Sequence, residues 1–245
     1  MTHPPAESVS SHQYAELAEL AGGFIHEIKN HLSTLNLNLQ LLSEDFQNPE
    51  TQRERRALNR IQRLQAECTR LVDISNDFLR FARLKDLDRK PVHLGEVIEE
   101  LLDFFGPTAR QAKVNIKPFL PADLPLVSVD VEQFKQALLN LLLNAEQAMP
   151  DGGEVTLMAS PTDGGVRLEV IDTGPGMAPE VVARVFKPFF TTKPGGNGLG
   201  LPITRKIIEA HGGTLEAQSE IGHGTRFSMW LPGMVSSGDG PIDES

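Results

Sequence analysis

His26, Glu27 and Asn30 place an imidazole, a carboxylate and an amide within about one turn of a segment whose apolar spacing is helical. Neutral imidazole, with a reference pKa of about 6.5, can take a phosphoryl group on one ring nitrogen while a neighbouring carboxylate accepts the proton from the other. In that chemistry His26 is the phosphoacceptor and Glu27 its base. Asn30 is an uncharged group able to position a water against an acyl phosphate on a partner. A zinc-protease reading needs H-E-x-x-H, with two histidines one turn apart. His31 follows His26 by five residues and is rotated off that face, so the metal reading fails on spacing. For His26 taken by itself, a solvated helix-surface histidine is the alternative.

Asn140 and Asn144 lie one turn apart in the otherwise apolar run QALLNLLLNAEQAM. Leaving such an amide buried and unmatched costs about 1 to 3 kcal/mol. Magnesium and a triphosphate would satisfy the pair, because amide oxygens are hard ligands suited to Mg²⁺; a structural network inside the fold is the other reading. Asp172-Thr173-Gly174-Pro175-Gly176-Met177 follows a strand pattern. An acid at a strand end can accept a hydrogen bond from an adenine amino group while glycine backbone passes close to the ring. Gly196-Asn197-Gly198-Leu199-Gly200-Leu201 opens a helix, whose amides and positive end can hold phosphates. No strand immediately precedes that run, which excludes the dinucleotide fingerprint, and no Gly-Lys-Ser or Gly-Lys-Thr follows a strand, which excludes a Walker A loop. Between the two glycine blocks, Phe186 to Phe190 and Thr191-Thr192-Lys193 form a connection too long for a tight turn, which reads as a lid.

Two textures must position these groups. From about Tyr14 to Leu84 turn residues are scarce, and Ala21, Phe24, Ile28, Leu32, Leu35, Leu39, Leu42 and Phe46 form one apolar stripe. Ala57, Ile61, Leu64, Cys68, Leu71, Ser75, Phe78 and Ala82 form a second, alternating four and three as in a bundle seam. Gln47-Asn48-Pro49-Glu50 separates them, with Pro49 suited to a helix start. This predicts a helical hairpin that pairs with a second copy into a dimeric four-helix bundle, since one hairpin has too little facing surface for both stripes. After Lys90-Pro91 the pattern alternates. Helices are expected at 94–112, 131–149 and 199–210, with Asp130 as an N-cap, and strands at 155–159, 166–171, 214–218 and 225–231. The fold class is α+β, with helices against a mixed sheet. The expected domains are a tail at 1–12, the hairpin at 13–88, the second domain at 89–232 and a disordered tail at 233–245. A formal charge of -10 argues against general nucleic-acid binding, although residues 51–90 are basic and suit an acidic partner. No apolar run approaches the ~20 residues of a membrane span, and the first residues lack a signal-peptide core, so a cytoplasmic location is expected. The one cysteine, Cys68, excludes an internal disulfide framework.

HEIKN, NLLLNA, DTGPGM, FKPFFTTK, GNGLGL and GHGTRF, in that order, resemble the six sequence boxes of two-component sensor histidine kinases over about residues 14–232. The PFFTTK lid is similar to that of the nitrogen-regulation subgroup. The resemblance implies a dimerisation and histidine-phosphotransfer hairpin followed by an ATP-binding domain with the α/β sandwich shared by Hsp90, MutL and gyrase. It implies an ATP-dependent kinase that phosphorylates His26, with Glu27 as base, and passes the group to an aspartate of a response regulator. Asn30 would support phosphatase action on that regulator. It further implies Asn144 as the Mg²⁺ ligand with Asn140 lining the same site, Asp172 on adenine, and Gly174, Gly176, Gly196, Gly198, Leu199 and Gly200 shaping the nucleotide loops. Lys193 would approach the phosphates and Thr225 would close the adenine end. The alternative is a dimeric pseudokinase that binds ATP without phosphotransfer. His31 stands where the family commonly has a proline, which implies a straighter helix. Only about a dozen residues precede the first helix, which implies either a separate sensor protein or an upstream sensor domain outside this chain.

Overall fold

The computed structural model describes residues 25, 27–83, 87–193 and 196–234. His26, Ala21, Phe24 and the tail expected at 1–12 lie outside the described residues. Contacts divide the chain into two compact units with the break between Arg83 and Leu84.

In the first unit, helix α1 (27–44) runs through His31 without interruption, and α2 is Gln52–Arg83. The start expected at Pro49 falls instead at Thr51, for a local reason. The Glu54 N–H donates to Thr51 Oγ1 at 3.2 Å, while Glu54 Oε2 accepts from Thr51 N–H at 3.2 Å and Glu50 N–H at 2.8 Å. This reciprocal capping box satisfies amides that the helix itself cannot, and Pro49 only leads into it. Leu39 of α1 packs with Ile61 and Cys68 of α2, and Phe46 flanks them. Ile61 and Cys68 are seven residues apart, so each recurs on the seam after two turns. The intervening positions of the same stripe, Leu64 and Leu71, stay exposed, together with Leu35, Leu41 and Leu42 on α1.

The second unit begins before Arg89. The Asp88 N–H donates to Asp130 Oδ2 at 3.1 Å, so the junction lies a few residues earlier than the expected 88/89 boundary. Its elements are β1 (Lys90–Val92), α3 (Leu94–Gln111), β2 (Val114–Phe119), β3 (Val127–Val129), α4 (Val131–Ala148), β4 (Gly153–Thr162), β5 (Gly165–Asp172), α5 (Pro179–Val182), α6 (Gly200–Ala210), β6 (Thr214–Glu220) and β7 (Gly224–Pro232). The main sheet has the order β2-β4-β5-β7-β6, with β2 parallel to β4 and the other pairs antiparallel, and β1 and β3 form a separate antiparallel pair. Strands β1, β2 and β3 were not expected. Two have only three residues, and β2 carries Lys117 and Pro118, which an edge strand tolerates and a central one does not. The β4–β5 hairpin is longer than its apolar core because Asp163-Gly164 closes a two-residue turn directly between Thr162 and Gly165. Gly233 and Met234 are not tail: their N–H groups donate to Gly164 O at 2.8 Å and Leu126 O at 2.7 Å, which corrects the expected disorder at those two residues. The remainder of that tail, 235–245, lies outside the described residues.

Alternate residues of β4, β5 and β7 are buried: Val155, Leu157, Leu168, Val170, Phe227 and Met229. Against this face α4 buries Phe134, Leu138, Leu141 and Leu142, and α6 buries Ile203, Ile207 and Ile208. Truncating one of these leucines to alanine would cost about 2–5 kcal/mol, since a cavity replaces close packing. Asp130 caps α4 as expected, accepting the Gln133 N–H at 3.1 Å. The same residue is tied to the far end of α6. The Asp130 N–H donates to His211 Nε2 at 2.9 Å, His211 Nδ1 donates to Ile207 O at 2.7 Å, and Arg89 donates to Ala210 O.

His211 is therefore held neutral, because protonating Nε2 would set two N–H donors against each other. Burial pushes its pKa below the reference 6.5, with the nearby Arg89 charge acting in the same direction and Ile207 O and Asp130 opposing it. A lowered folded pKa means that the unfolded chain takes the proton first. The stabilisation is full above about pH 6.5 and is lost as the pH falls below it. Urea denaturation of the whole chain, followed by circular dichroism, should show the second unit losing stability between pH 7.5 and 5.5. His211→Gln should flatten that loss.

Candidate functional site

Helix α4 packs on the sheet and beside α6, so its polar positions are decided by what each neighbour offers. Asn140 faces the start of α6. Its Nδ2 donates to Gly200 O and Thr204 Oγ1, both at 3.3 Å, and its Oδ1 accepts from Gln136 Nε2 at 3.0 Å. These bonds give Asn140 a place in a network between the two helices. One turn on, Asn144 donates to Asn140 O at 2.9 Å, which turns its Oδ1 the other way. That oxygen accepts Lys193 Nζ at 2.9 Å, and the same ammonium donates to Asn144 O at 3.3 Å and Gln147 Oε1 at 3.0 Å. Burial lowers the Lys193 pKa, while the carboxylates of Glu146 and Asp172 oppose that shift.

The first turn of α6 meets this same edge. A Cβ built on Gly200 would stand 4.0 Å from Asn144 Nδ2, so the second glycine block and the asparagine pair are brought together. Leu199 is fully buried and precedes the helix, its N–H donating to Asn197 Oδ1 at 3.0 Å. The Gly196 N–H bonds Lys193 O at 3.1 Å and closes the lid end. Gly198 has φ +66°, and a Cβ there would meet Phe189 C at 2.6 Å and Phe190 N at 2.7 Å, so only glycine lets the lid turn close on the block. The lid is also fixed by its aromatic rings. Arg184 lies 4.2 Å over Phe190, Arg205 of α6 lies 5.0 Å over Phe186, and Phe186 meets Phe227 of β7 edge-on at 6.4 Å.

At the other end, Asp172 terminates β5 and is only 5% exposed. Its Oδ1 accepts the Gly174 N–H at 2.9 Å and the Thr225 N–H at 3.2 Å. Burial raises its pKa, and those two hydrogen bonds and the Lys193 charge hold the shift back. Gly176 adopts φ +68° against Glu220 O, where any Cβ would collide. Thr225 contributes its backbone to Asp172, whereas its hydroxyl lies 3.0 Å from Ser219 Oγ, which accepts the Met177 N–H at 2.8 Å. Ser219, Gln147 and Thr204 escaped the sequence reading. Gln147 alone carried a signal, lying three residues beyond Asn144 on the same helix face. Glu27 and Asn30 are exposed on helix α1, three residues apart. His26 lies outside the described residues.

A cluster of amide and carbonyl oxygens that already holds an ammonium is chemically suited to a hard cation. Asn144 Oδ1 and Gln147 Oε1 therefore fit a Mg²⁺ ion, with Lys193 as its stand-in. A buried acid at one end and helix amides at the other fit a nucleotide, base first and phosphates last.

Residues 129–234 match the family described as histidine kinase-, DNA gyrase B-, and HSP90-like ATPase, and residues 16–87 match the His kinase A phospho-acceptor domain. The chain belongs to the sensor histidine kinases of two-component signalling. It is 32% identical over 223 residues to sensor histidine kinase ZraS of Escherichia coli strain K12, covering 91% of this chain and 47% of that protein. It thus spans about half the length of that relative. Full-length ShkA in complex with AMPPNP superposes with a TM-score of 0.73 at 30% identity, over 89% of this chain and 46% of that one. The catalytic domain of histidine kinase ThkA matches with a TM-score of 0.55 at 32% identity, over 60% of this chain and 96% of that domain. ThkA bound to the response regulator TrrA matches with a TM-score of 0.63 at 28% identity, over 88% of this chain and 61% of that one. No described helix is long and apolar enough to cross a membrane.

Asp172→Asn should separate stability from binding. The amide oxygen can keep both backbone hydrogen bonds while the desolvated charge disappears, so the melting temperature of the nucleotide-free protein should hold or rise near pH 7. ATP binding should weaken, because an NH₂ then replaces the oxygen expected to accept from the adenine amino group. Calorimetric titration with ATP should show at least a tenfold weakening, about 1.4 kcal/mol.

Proposed function

We propose that this chain is an ATP-dependent protein-histidine kinase, with the hairpin unit as dimerisation and phosphoacceptor domain and the second unit as ATP-binding domain. The observation that carries the reading is the gathering of Asn144, Lys193 and the first turn of α6 on one edge of α4, with Asp172 buried at the end of β5. Asp172 holds adenine by its carboxylate, Thr225 braces that carboxylate through its amide, and Gly174 and Gly176 let the loop approach the ring. The amides beginning at Gly200 receive the phosphates, with Gly196 and Gly198 shaping the lid turn. Asn144, with Gln147 beside it, would hold Mg²⁺, which when bound would supply charge neutralisation for the phosphates. Lys193 leaves Asn144 to meet the same negative charge.

One ring nitrogen of His26 forms a bond to the γ-phosphorus, the bond from that phosphorus to the bridging oxygen breaks, and ADP leaves with the electron pair. Glu27 takes the proton from the other ring nitrogen. The phosphoryl group then passes to an aspartate of a receiver domain, and Asn30 aligns water when the reaction runs as regulator dephosphorylation. The ThkA complex with a response regulator supports that class of partner. The exposed Leu35, Leu64 and Leu71 support a homodimer, since a second hairpin would cover them. Use of ATP as phosphoryl donor supports a cytoplasmic location for these two units, with input from a separate sensor protein or an upstream sensor domain.

Incubation with γ-labelled ATP should label wild-type protein at a bond that is labile in acid, and His26→Gln should abolish the label without changing ATP affinity. Undiminished labelling of His26→Gln would refute the phosphoacceptor assignment, and ATP binding with no labelling of wild type would favour the pseudokinase. Light scattering should return twice the chain mass with or without ATP.

A further inference from the structure

Thr204 lies on α6 one turn after Gly200 and is 0% exposed. Its hydroxyl donates to Gly200 O at 2.9 Å and accepts from Asn140 Nδ2 at 3.3 Å, while Ala137 O of α4 lies 3.5 Å away. The second hydrogen of Asn140 Nδ2 reaches Gly200 O at 3.3 Å, and Gln136 Nε2 supports Asn140 Oδ1 at 3.0 Å. Side chains from two helices therefore converge on one carbonyl, that of the first residue of α6.

Apolar packing alone would hold α4 and α6 together through Leu138, Leu141, Ile203 and Ile207, but ridges of similar leucines and isoleucines tolerate sliding. A buried amide and hydroxyl do not, because displacing either leaves a donor or acceptor unmatched. We propose that Thr204 and Asn140 are positioning residues. They fix the height of α6 along α4 so that the amides of its first turn stand at a set distance from Asn144.

This inference rests on the reading that α6 receives phosphates while Asp172 receives adenine, and it separates the two ends of the nucleotide. Loss of the hydroxyl should weaken ligands in proportion to the phosphates they carry and leave the base alone. A purely structural role would lower the melting temperature and weaken all ligands alike.

Thr204→Val is nearly isosteric and removes the hydroxyl, Thr204→Ser restores it, and Asn140→Ala removes the other half. With the full chain and Mg²⁺ present, calorimetric affinities would be measured for adenosine, ADP and the non-hydrolysable AMPPNP, alongside melting temperatures. Thr204→Val and Asn140→Ala should bind adenosine within about twofold of wild type, ADP more weakly, and AMPPNP at least tenfold more weakly. Thr204→Ser should recover most of the loss. Equal weakening of all three ligands, or none, would overturn the proposal while leaving the ATP site standing, provided that wild type prefers AMPPNP to adenosine. A wild type without that preference would overturn both the phosphate site and its positioning.

Discussion

Everything in the second unit depends on how α4 is buried. It has the sheet on one side and α6 on another, so Phe134, Leu138, Leu141 and Leu142 are fully removed from water, and any amide along its remaining edge must find partners. The two asparagines divide that requirement. Asn140 is satisfied by α6 and pins it; Asn144 is turned outward by its bond to Asn140 O and is satisfied by a charge on the lid. The chemistry attributed to the site follows from this division. One amide builds the wall and the other presents oxygen to whatever cation approaches.

Asp172 shows the same economy at the opposite end. A buried carboxylate is costly to ionise, and this one is made tolerable by two backbone amides on a single oxygen and a cation farther along the groove. Those amides belong to the glycine loop and to β7, so the residue proposed to hold the base also ties two segments together. Ser219 extends the arrangement by joining Met177 to the Gly224-Thr225 turn.

Much of this was legible in sequence because ordered motifs with special backbone needs leave strong marks. Both glycine blocks, the asparagine pair, the Asp130 cap and the paired stripes of the hairpin all announce themselves by residue type and spacing. The short strands did not. β1 and β3 have three residues each, too few for a period, and β2 is an edge strand with a lysine and a proline where an alternating pattern would show. The start of α2 falls past Pro49 because the Thr51 and Glu54 pair, rather than the proline, caps the helix. Thr204 and Ser219 were invisible for another reason. A threonine in an apolar helix or a serine in a strand carries no signal until the neighbouring element that it touches is known.

The parallel pairing of β2 with β4 bears on how the molecule reaches this state. Val114 meets Gly153 only after the chain has crossed over through β3 and α4, a separation that makes the contact slow and non-local. The asparagine-bearing helix is the crossover itself. The β2–β4 pairing therefore returns both ends of α4 to one edge of the sheet, so the strand register that closes this edge also bounds where Asn140 and Asn144 can stand.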